Sequence, residues 1–287
     1  MDQVTGLQCV RCGRRYGSTE ASYTCPACGD EGILDVLYDY DRVKERLDRD
    51  LLARSPERTM WRYAPLLPVE TVGAAGQPAL HVSPLTVGWT PLYRAERLAD
   101  ELGVGCLYVK DDSRNPSASL KDRASAVALV RARQQGAAVI AAASTGNAAS
   151  SLACLCASVG QCCTIFVPET APPAKVAQLL IFGAQVLLVR GSYDDAFDLC
   201  MEACRAYGWY NRNTAVNPYL SEGKKTVVLE LCEQLNWDAP DLVFVPVGDG
   251  CIIGGVAKGL RDLRALGWIE RLPRVVGVQA EGSAVLA

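Results

Sequence analysis

Two pairs of cysteines, Cys9-x-x-Cys12 and Cys25-x-x-Cys28, stand twelve residues apart, and each is followed directly by a glycine, Gly13 or Gly29. A tight turn of this kind aims two thiolates at one ion, and two such turns make a tetrahedral four-sulfur zinc site. With every position filled by protein the ion has no open coordination site, so its expected role is structural. In a segment too small for a core of its own, metal binding supplies most of the folding energy. A nucleic-acid-binding ribbon is the weaker alternative, because only Arg11, Arg14, Arg15, Arg42 and Lys44 are basic nearby. The other nine cysteines lie scattered in apolar runs and read as small buried hydrophobes.

Three further segments carry chemistry in their turns. In Asn115-Pro116-Ser117-Ala118-Ser119-Leu120-Lys121-Asp122-Arg123, Ser119 with Asp122 reads as an N-cap with an acidic helix start. Lys121 then falls in the first turn, where the positive end of the helix dipole favours a neutral, nucleophilic amine. By itself the segment reads more readily as a solvated lysine on a helix surface. Ala143-Ser144-Thr145-Gly146-Asn147-Ala148 is a small-residue turn whose amides open a helix, a site suited to a carboxylate, with an ordinary helix cap as the alternative. Asn147 can hydrogen-bond a phenolate oxygen or an imine there without adding charge. Val247-Gly248-Asp249-Gly250-Cys251-Ile252-Ile253-Gly254-Gly255 has glycines where backbone amides can cradle a phosphate. It lacks the Lys-Ser/Thr of a nucleotide P-loop and the spacing of a dinucleotide fingerprint. Asp249 has the wrong charge for a phosphate neighbour, so its carboxylate is expected to point away.

The elements that must position these turns follow from the hydrophobic pattern. Strands are predicted at Cys106–Val109, Val139–Ala143, Cys162–Val167, Gln185–Val189, Leu242–Val247 and Arg274–Val278. Helices are predicted near 122–135, 147–158, 172–182, 193–206, 224–235 and 252–266, with an exposed amphipathic helix from Asp41 to Leu52. Such alternation implies right-handed βαβ crossovers and mostly parallel sheets, with ligands beyond the carboxyl ends of the strands. Six prolines between Pro56 and Pro91 mark an irregular connection.

A chain of 287 residues with 49% hydrophobic and 21% charged side chains is globular, one large domain or two coupled ones. The net charge of −3 leaves no basic field for nucleic acid or anionic membrane. The uncharged stretch from Gln134 to Pro168 is broken by Gly136, Ser144-Thr145-Gly146-Asn147 and Gly160, and reads as buried α/β core, not a membrane span. Residues Met1 to Gly6 carry no secretion signal, so thirteen cysteines point to the reducing cytoplasm. His81 is the sole histidine, which sets His-based triads and multi-His metal sites at low odds.

Taken together the motifs resemble the fold-type-II pyridoxal-phosphate enzymes, and most closely the threonine synthase family. The likeness runs through Trp61-Arg62-Tyr63, Thr90-Pro91-Leu92, Lys110-Asp111-Asp112 and Ser119-Leu120-Lys121-Asp122-Arg123. It continues through Ser144-Thr145-Gly146-Asn147, Asn217-Pro218-Tyr219, Glu222-Gly223-Lys224-Lys225-Thr226, the 248–255 loop and Val278-Gln279-Ala280-Glu281-Gly282. An N-terminal zinc ribbon also occurs in that family. The resemblance implies a two-domain α/β architecture like that of the tryptophan synthase β chain. A ribbon at 1–40 would precede a small domain at 118–206, inserted in a large domain built from 41–117 and 207–287. It implies Lys121 as the Schiff-base lysine and Asn147 at the cofactor's 3'-oxygen. Gly248, Asp249, Gly250, Cys251 and Ile252 would lie around the cofactor phosphate, with Ser144 and Thr145 at the substrate carboxylate.

The implied reaction converts O-phosphohomoserine and water to threonine and phosphate. Related lyases or β-replacement enzymes (serine/threonine dehydratase, cysteate synthase or diaminopropionate type) are the alternative, as is a truncated non-catalytic paralogue. A substrate phosphate would need a second anion site, for which Arg123, Lys224 and Lys225 are the candidates. Members of the family commonly dimerise, so a homodimer with a small amino-acid substrate is expected. Position 120 is Leu where the family usually has Phe. The chain stops at Ala287, whereas family members continue through further sheet elements and a Ser or Thr facing the pyridine nitrogen. The expectation is therefore a truncated product or a partner chain covering the gap.

Overall fold

The computed structural model describes residues 1–70 and 82–283, so His81 lies outside the described residues. The chain opens with four antiparallel strands, β1 (Val4–Cys9), β2 (Arg15–Tyr16), β3 (Thr24–Cys25) and β4 (Gly29–Tyr38), in the order β2-β1-β4-β3. β1 and β4 alternate buried and exposed positions, so Leu7, Cys9, Leu34, Val36 and Tyr38 cover the rest of the molecule from one face. The single amphipathic helix expected from Asp41 to Leu52 is two short helices, α1 (Tyr40–Lys44) and α2 (Arg49–Arg54). The reason is a second cap. Asp48 accepts the amide of Leu51 at 2.7 Å, starting a new helix where the first would have continued.

After a 3-10 turn at Met60–Leu66, β5 (Leu92–Arg94) pairs antiparallel with β6 (Tyr108–Lys110) around α3 (Glu96–Leu102). The strand expected at Cys106–Val109 thus starts later and takes in a lysine. Lys110 hides its position from the hydrophobic pattern because its ammonium is neutralised by Glu230 at 2.9 Å.

Next come α4 (Lys121–Gln134), β7 (Val139–Ala143), α5 (Asn147–Ala157), β8 (Cys162–Pro168), α6 (Pro173–Ile181), β9 (Gln185–Val189), α7 (Tyr193–Tyr207) and β10 (Tyr210–Asn211). Their strands form one parallel sheet in the order β10-β7-β8-β9. α8 (Tyr219–Gln234) leads into a second parallel pair, β11 (Leu242–Pro246) and β12 (Arg274–Val278), joined by α9 (Cys251–Ala265). The two-residue strand β10 gave no readable sequence signal, being too short to show a period. α8 begins at Tyr219, five residues before the expected start, since Glu222, Lys224 and Lys225 are buried polar residues that break the apolar pattern.

α8 is the axis of the molecule, packed on both α4 and α9. Its glycine and those of α9 set the spacing: a Cβ at Gly223 would collide with the carbonyl of Arg123, and one at Gly255 would come within 2.9 Å of the Lys224 Cβ. Two ion-pair networks fasten it. On one side the buried Arg123 guanidinium donates to Asp112 at 2.7 Å and Glu230 at 2.6 Å, and to the Thr226 hydroxyl at 2.9 Å. Burial pushes the Glu230 carboxyl up, but the Arg123 guanidinium outweighs it and holds the group below the usual range. On the other side the Lys225 ammonium donates to Asp262 at 2.6 Å and pairs with Glu222, while Tyr38 and Tyr40 of the N-terminal module donate to Glu222 and Asp262, both at 2.7 Å. No helix among the described residues is long and apolar enough to cross a membrane.

Replacing Glu230 by leucine leaves the Arg123 charge buried beside a single carboxylate, and is expected to lower unfolding stability by about 3–5 kcal/mol, read from urea midpoints.

Candidate active site

Three turns at the carboxyl ends of parallel strands or at helix N-termini face one region, as the topology requires. Lys121 opens α4 and is half-buried. The expected Ser119–Asp122 cap takes a different form. The Ser119 hydroxyl accepts the Lys121 amide at 3.1 Å, while Asp122 reaches back to the amide and hydroxyl of Ser117, at 2.7 and 2.6 Å. Ala118, at φ +55°, bends the chain between the two. The result is a rigid socket in which the backbone of Lys121 is fixed and its amine is left over. Burial lowers the Lys121 pKa, Arg212 adds to that, and Asp249 and Cys251 oppose it. Burial and a neighbouring cation thus favour the neutral amine at the first turn of α4.

The second turn follows β7. The Ser144 hydroxyl accepts the Gly146 amide at 3.1 Å, Thr145 is half-buried, and Asn147, the first residue of α5, is exposed. The third turn opens α9. Gly250 sits in the left-handed region at φ +77°, and a Cβ at Gly248 or Gly254 would meet nothing within 4 Å. Cys251 and Ile252 are half-buried. The first turn of a helix leaves its amides without intrahelical partners. Asp249 does not point away as expected: its carboxylate accepts the Cys251 amide at 3.1 Å, a local cap on that terminus. Burial raises the Asp249 pKa, yet Lys224, Lys121 and the Cys251 amide outweigh it and hold the carboxyl below its usual range. These charge couplings bring Lys121 and the 248–252 turn into one electrostatic neighbourhood. Tyr193, whose hydroxyl donates to the Ala143 carbonyl at 3.2 Å and whose pKa is raised by burial and by Asp249, ties the second turn to it.

Two cations in this region escaped the sequence reading or were only one option among several. Arg212 is fully buried just after β10, and among the described residues its guanidinium donates to two hydroxyls, Ser125 at 3.1 Å and Thr214 at 3.1 Å. Burial lowers its pKa to about 10, so it stays charged at neutral pH. Of the three candidates for a second anion site, Arg123 and Lys225 are excluded, because carboxylates already neutralise both. Lys224 is different. It is fully buried, and its ammonium is without a hydrogen-bond partner among the described residues.

In the N-terminal module the sulfur atoms of Cys9, Cys12, Cys25 and Cys28 lie within 4.8 Å of one another. Metal–sulfur bonds of about 2.3 Å in a tetrahedron separate sulfurs by about 3.8 Å, and Cys12 and Cys25 stand 3.8 Å apart. The cluster has the size and donor set of a four-sulfur metal centre.

The fold and the site together define an α/β protein with parallel sheets and a cluster of cations near the N-terminus of α9. Residues 84–287 match the family described as pyridoxal-phosphate dependent enzymes, and the chain belongs to that family. It is 39% identical over 277 residues to the threonine synthase of Methanocaldococcus jannaschii and 39% over 280 residues to that of Methanosarcina acetivorans. Each match covers 96% of this chain but 65% of the relative, so the chain spans just under two thirds of their length. Among solved structures, the processed form of threonine deaminase isoform 2 from Solanum lycopersicum superimposes with a TM-score of 0.58 at 26% identity, covering 68% of this chain and 55% of that one. Diaminopropionate ammonia lyase from Escherichia coli shares the fold at 22% identity, with a TM-score of 0.57 over 66% of this chain and 59% of that one.

Burial lowers the Lys224 pKa to about 7, against an ordinary value of 10.5. Between those values the unfolded chain binds the extra proton, so the cofactor-free protein gains stability as pH rises through that window, and the penalty is complete below it. Lys224→Met should raise the melting temperature of the cofactor-free chain near neutral pH and flatten this pH dependence, followed by thermal melts across the window.

Proposed function

We propose that the chain is a pyridoxal-phosphate-dependent lyase of the threonine synthase type, converting O-phosphohomoserine and water to threonine and inorganic phosphate. The observation that carries the reading is the identity to two threonine synthases over 96% of the chain, joined to a lysine whose amine is held partly desolvated beside a helix terminus built for an anion. The residues present suit the cofactor: a half-buried amine at 121, an orphaned buried ammonium at 224, and glycines at 248 and 254 with open space beside them.

In this reading Lys121 holds the cofactor covalently through its amine, Asn147 meets the 3'-oxygen, and Gly248, Asp249, Gly250, Cys251 and Ile252 surround the phosphate, which takes the amides once the Asp249 carboxylate yields its own. When bound, the pyridine ring supplies the electron sink that stabilises negative charge on the substrate's α-carbon. Ser144 and Thr145 hold the substrate carboxylate at the α5 N-terminus. Freed when the substrate amine displaces it, the Lys121 amine would carry one proton at a time: it would take that of Cα, release it before taking that of Cβ, and deliver one to Cγ as the phosphate leaves. Water would then add its hydroxyl at Cβ and a proton would return to Cα, so the two protons removed from carbon are both restored. A pKa lowered by burial suits an amine that must accept and release protons near neutrality. Domains divided at 118–206 and its flanks would close over the substrate and exclude water from the earlier steps.

The four cysteines at 9, 12, 25 and 28 are assigned to structural zinc, and a homodimer in the reducing cytoplasm completes the reading. A related dehydratase is the second reading, favoured by the structural likeness to threonine deaminase. Phosphate release from O-phosphohomoserine is expected to exceed ammonia release from threonine or serine; the opposite ranking would favour the dehydratase. Lys121→Ala should abolish turnover and leave metal content unchanged, while Cys25→Ser should lose about one equivalent of zinc by elemental analysis. Retained turnover in the Lys121 variant would remove that assignment.

A further inference from the structure

The charges around the α9 N-terminus do not balance. Lys224 on α8, Lys121 on α4 and Arg212 after β10 act on one another and on the same two groups of the α9 turn, Asp249 and Cys251. Against these three basic groups stand two carboxylates: Asp249, which is spent on the Cys251 amide, and Asp122, which acts on Arg212 and accepts from the amide and hydroxyl of Ser117. Every other ionised residue of the buried face of α8 has an opposite charge at bonding distance: Glu222 has Lys225, Lys225 has Asp262, and Glu230 has Arg123 and Lys110. Lys224 is the exception, fully buried with an unpartnered ammonium. Its stem crosses Gly255, where a side chain would come within 2.9 Å of the Lys224 Cβ, so the lysine is seated one turn into α9 from the 248–252 loop.

A buried ammonium without an anion is costly, and the cost is recovered only if the missing anion arrives as a ligand. We propose that Lys224, assisted by Arg212, is the side-chain countercharge for a phosphate dianion bound at the α9 N-terminus, that of the cofactor, and that binding draws one proton from solvent onto the Lys224 amine. The inference rests on the proposed pyridoxal-phosphate site and adds to it a residue outside the glycine loop. The groups facing Lys224 are Cys251 and Asp249 from α9, Lys121 from α4 and Arg212 from the segment after β10. The dianion's charge on these elements favours the ammonium form, which near pH 7 the empty site holds only in part. The seat beside Gly255 favours the cofactor phosphate over a phosphate on the substrate, whose carboxylate is assigned to the separate turn at 144–147.

The test compares pyridoxal phosphate with pyridoxal, which has the same ring and aldehyde but no phosphate. The full chain and its Lys224→Met variant are titrated with each by visible absorbance, with Lys175→Met, at an exposed position, as control. Lys224→Met should weaken pyridoxal phosphate roughly 10- to 100-fold and change pyridoxal affinity less than about two-fold. Calorimetry at about pH 8 in two buffers of different ionisation enthalpy should show proton uptake of about one per cofactor in the native chain, and little in the variant. Equal losses for both ligands, or unchanged pyridoxal phosphate affinity, would overturn the assignment. So would an unchanged cofactor affinity accompanied by a raised KM for O-phosphohomoserine, which would move Lys224 to the substrate phosphate. Borohydride labelling of Lys121 in the native chain separates these outcomes from failure of the cofactor site itself. With no label and no binding of either ligand, both the inference and the reading beneath it fall.

Discussion

The structure depends on carrying charged side chains into a dry interior and answering all but one of those on α8 with a close opposite charge. α8 takes Glu222, Lys224, Lys225 and Glu230 out of water, at a solvation cost that only close opposite charges or hydrogen bonds can offset. Glu230 is answered by Arg123 and Lys110, which fixes α8 against α4 and the strand ending at Lys110. Lys225 and Glu222 are answered by Asp262 and by one another, which fixes α8 against α9. The two networks also decide the helix spacing, since the glycines at 223 and 255 let the backbones approach closely enough for the pairs to form. Position 224, between the two networks, is where the arrangement leaves a buried charge without a partner among the described residues.

That pattern explains what could be read in the sequence and what could not. The strands Val139–Ala143, Gln185–Val189 and Arg274–Val278 match their predicted bounds, because their neighbours are apolar and the turns around them carry glycine. Lys110, the start of α8 and Arg212 were illegible for the opposite reason: they are polar residues in buried places, and hydropathy reports burial only when burial is apolar. The break at Asp48 was missed because an aspartate inside a charged helix and an aspartate capping the next one look alike in sequence. At the candidate site the turns were legible as turns. The role of their electrostatic setting was not, since Arg212 reaches the region from a two-residue strand that no periodicity marks. Asp249 was misjudged on charge alone; a carboxylate beside a helix terminus finds its own amide before any ligand does.

Position 224 also illustrates the common exchange of stability for function. The same burial that makes its ammonium a strong ligand for an incoming anion makes the empty protein less stable near neutrality. A chain of this kind is most secure when loaded, because a ligand that binds only the folded form shifts the folding equilibrium toward it.

The N-terminal module is anchored to the rest of the chain by Tyr38 and Tyr40, whose hydroxyls reach Glu222 and Asp262, partners 184 and 222 positions away in sequence. During synthesis, therefore, this module lacks its footing until α8 and α9, residues 219–265, have been made. The tyrosine clasp is thus a long-range contact that closes only when α8 and α9 come within reach of a module made some two hundred residues earlier.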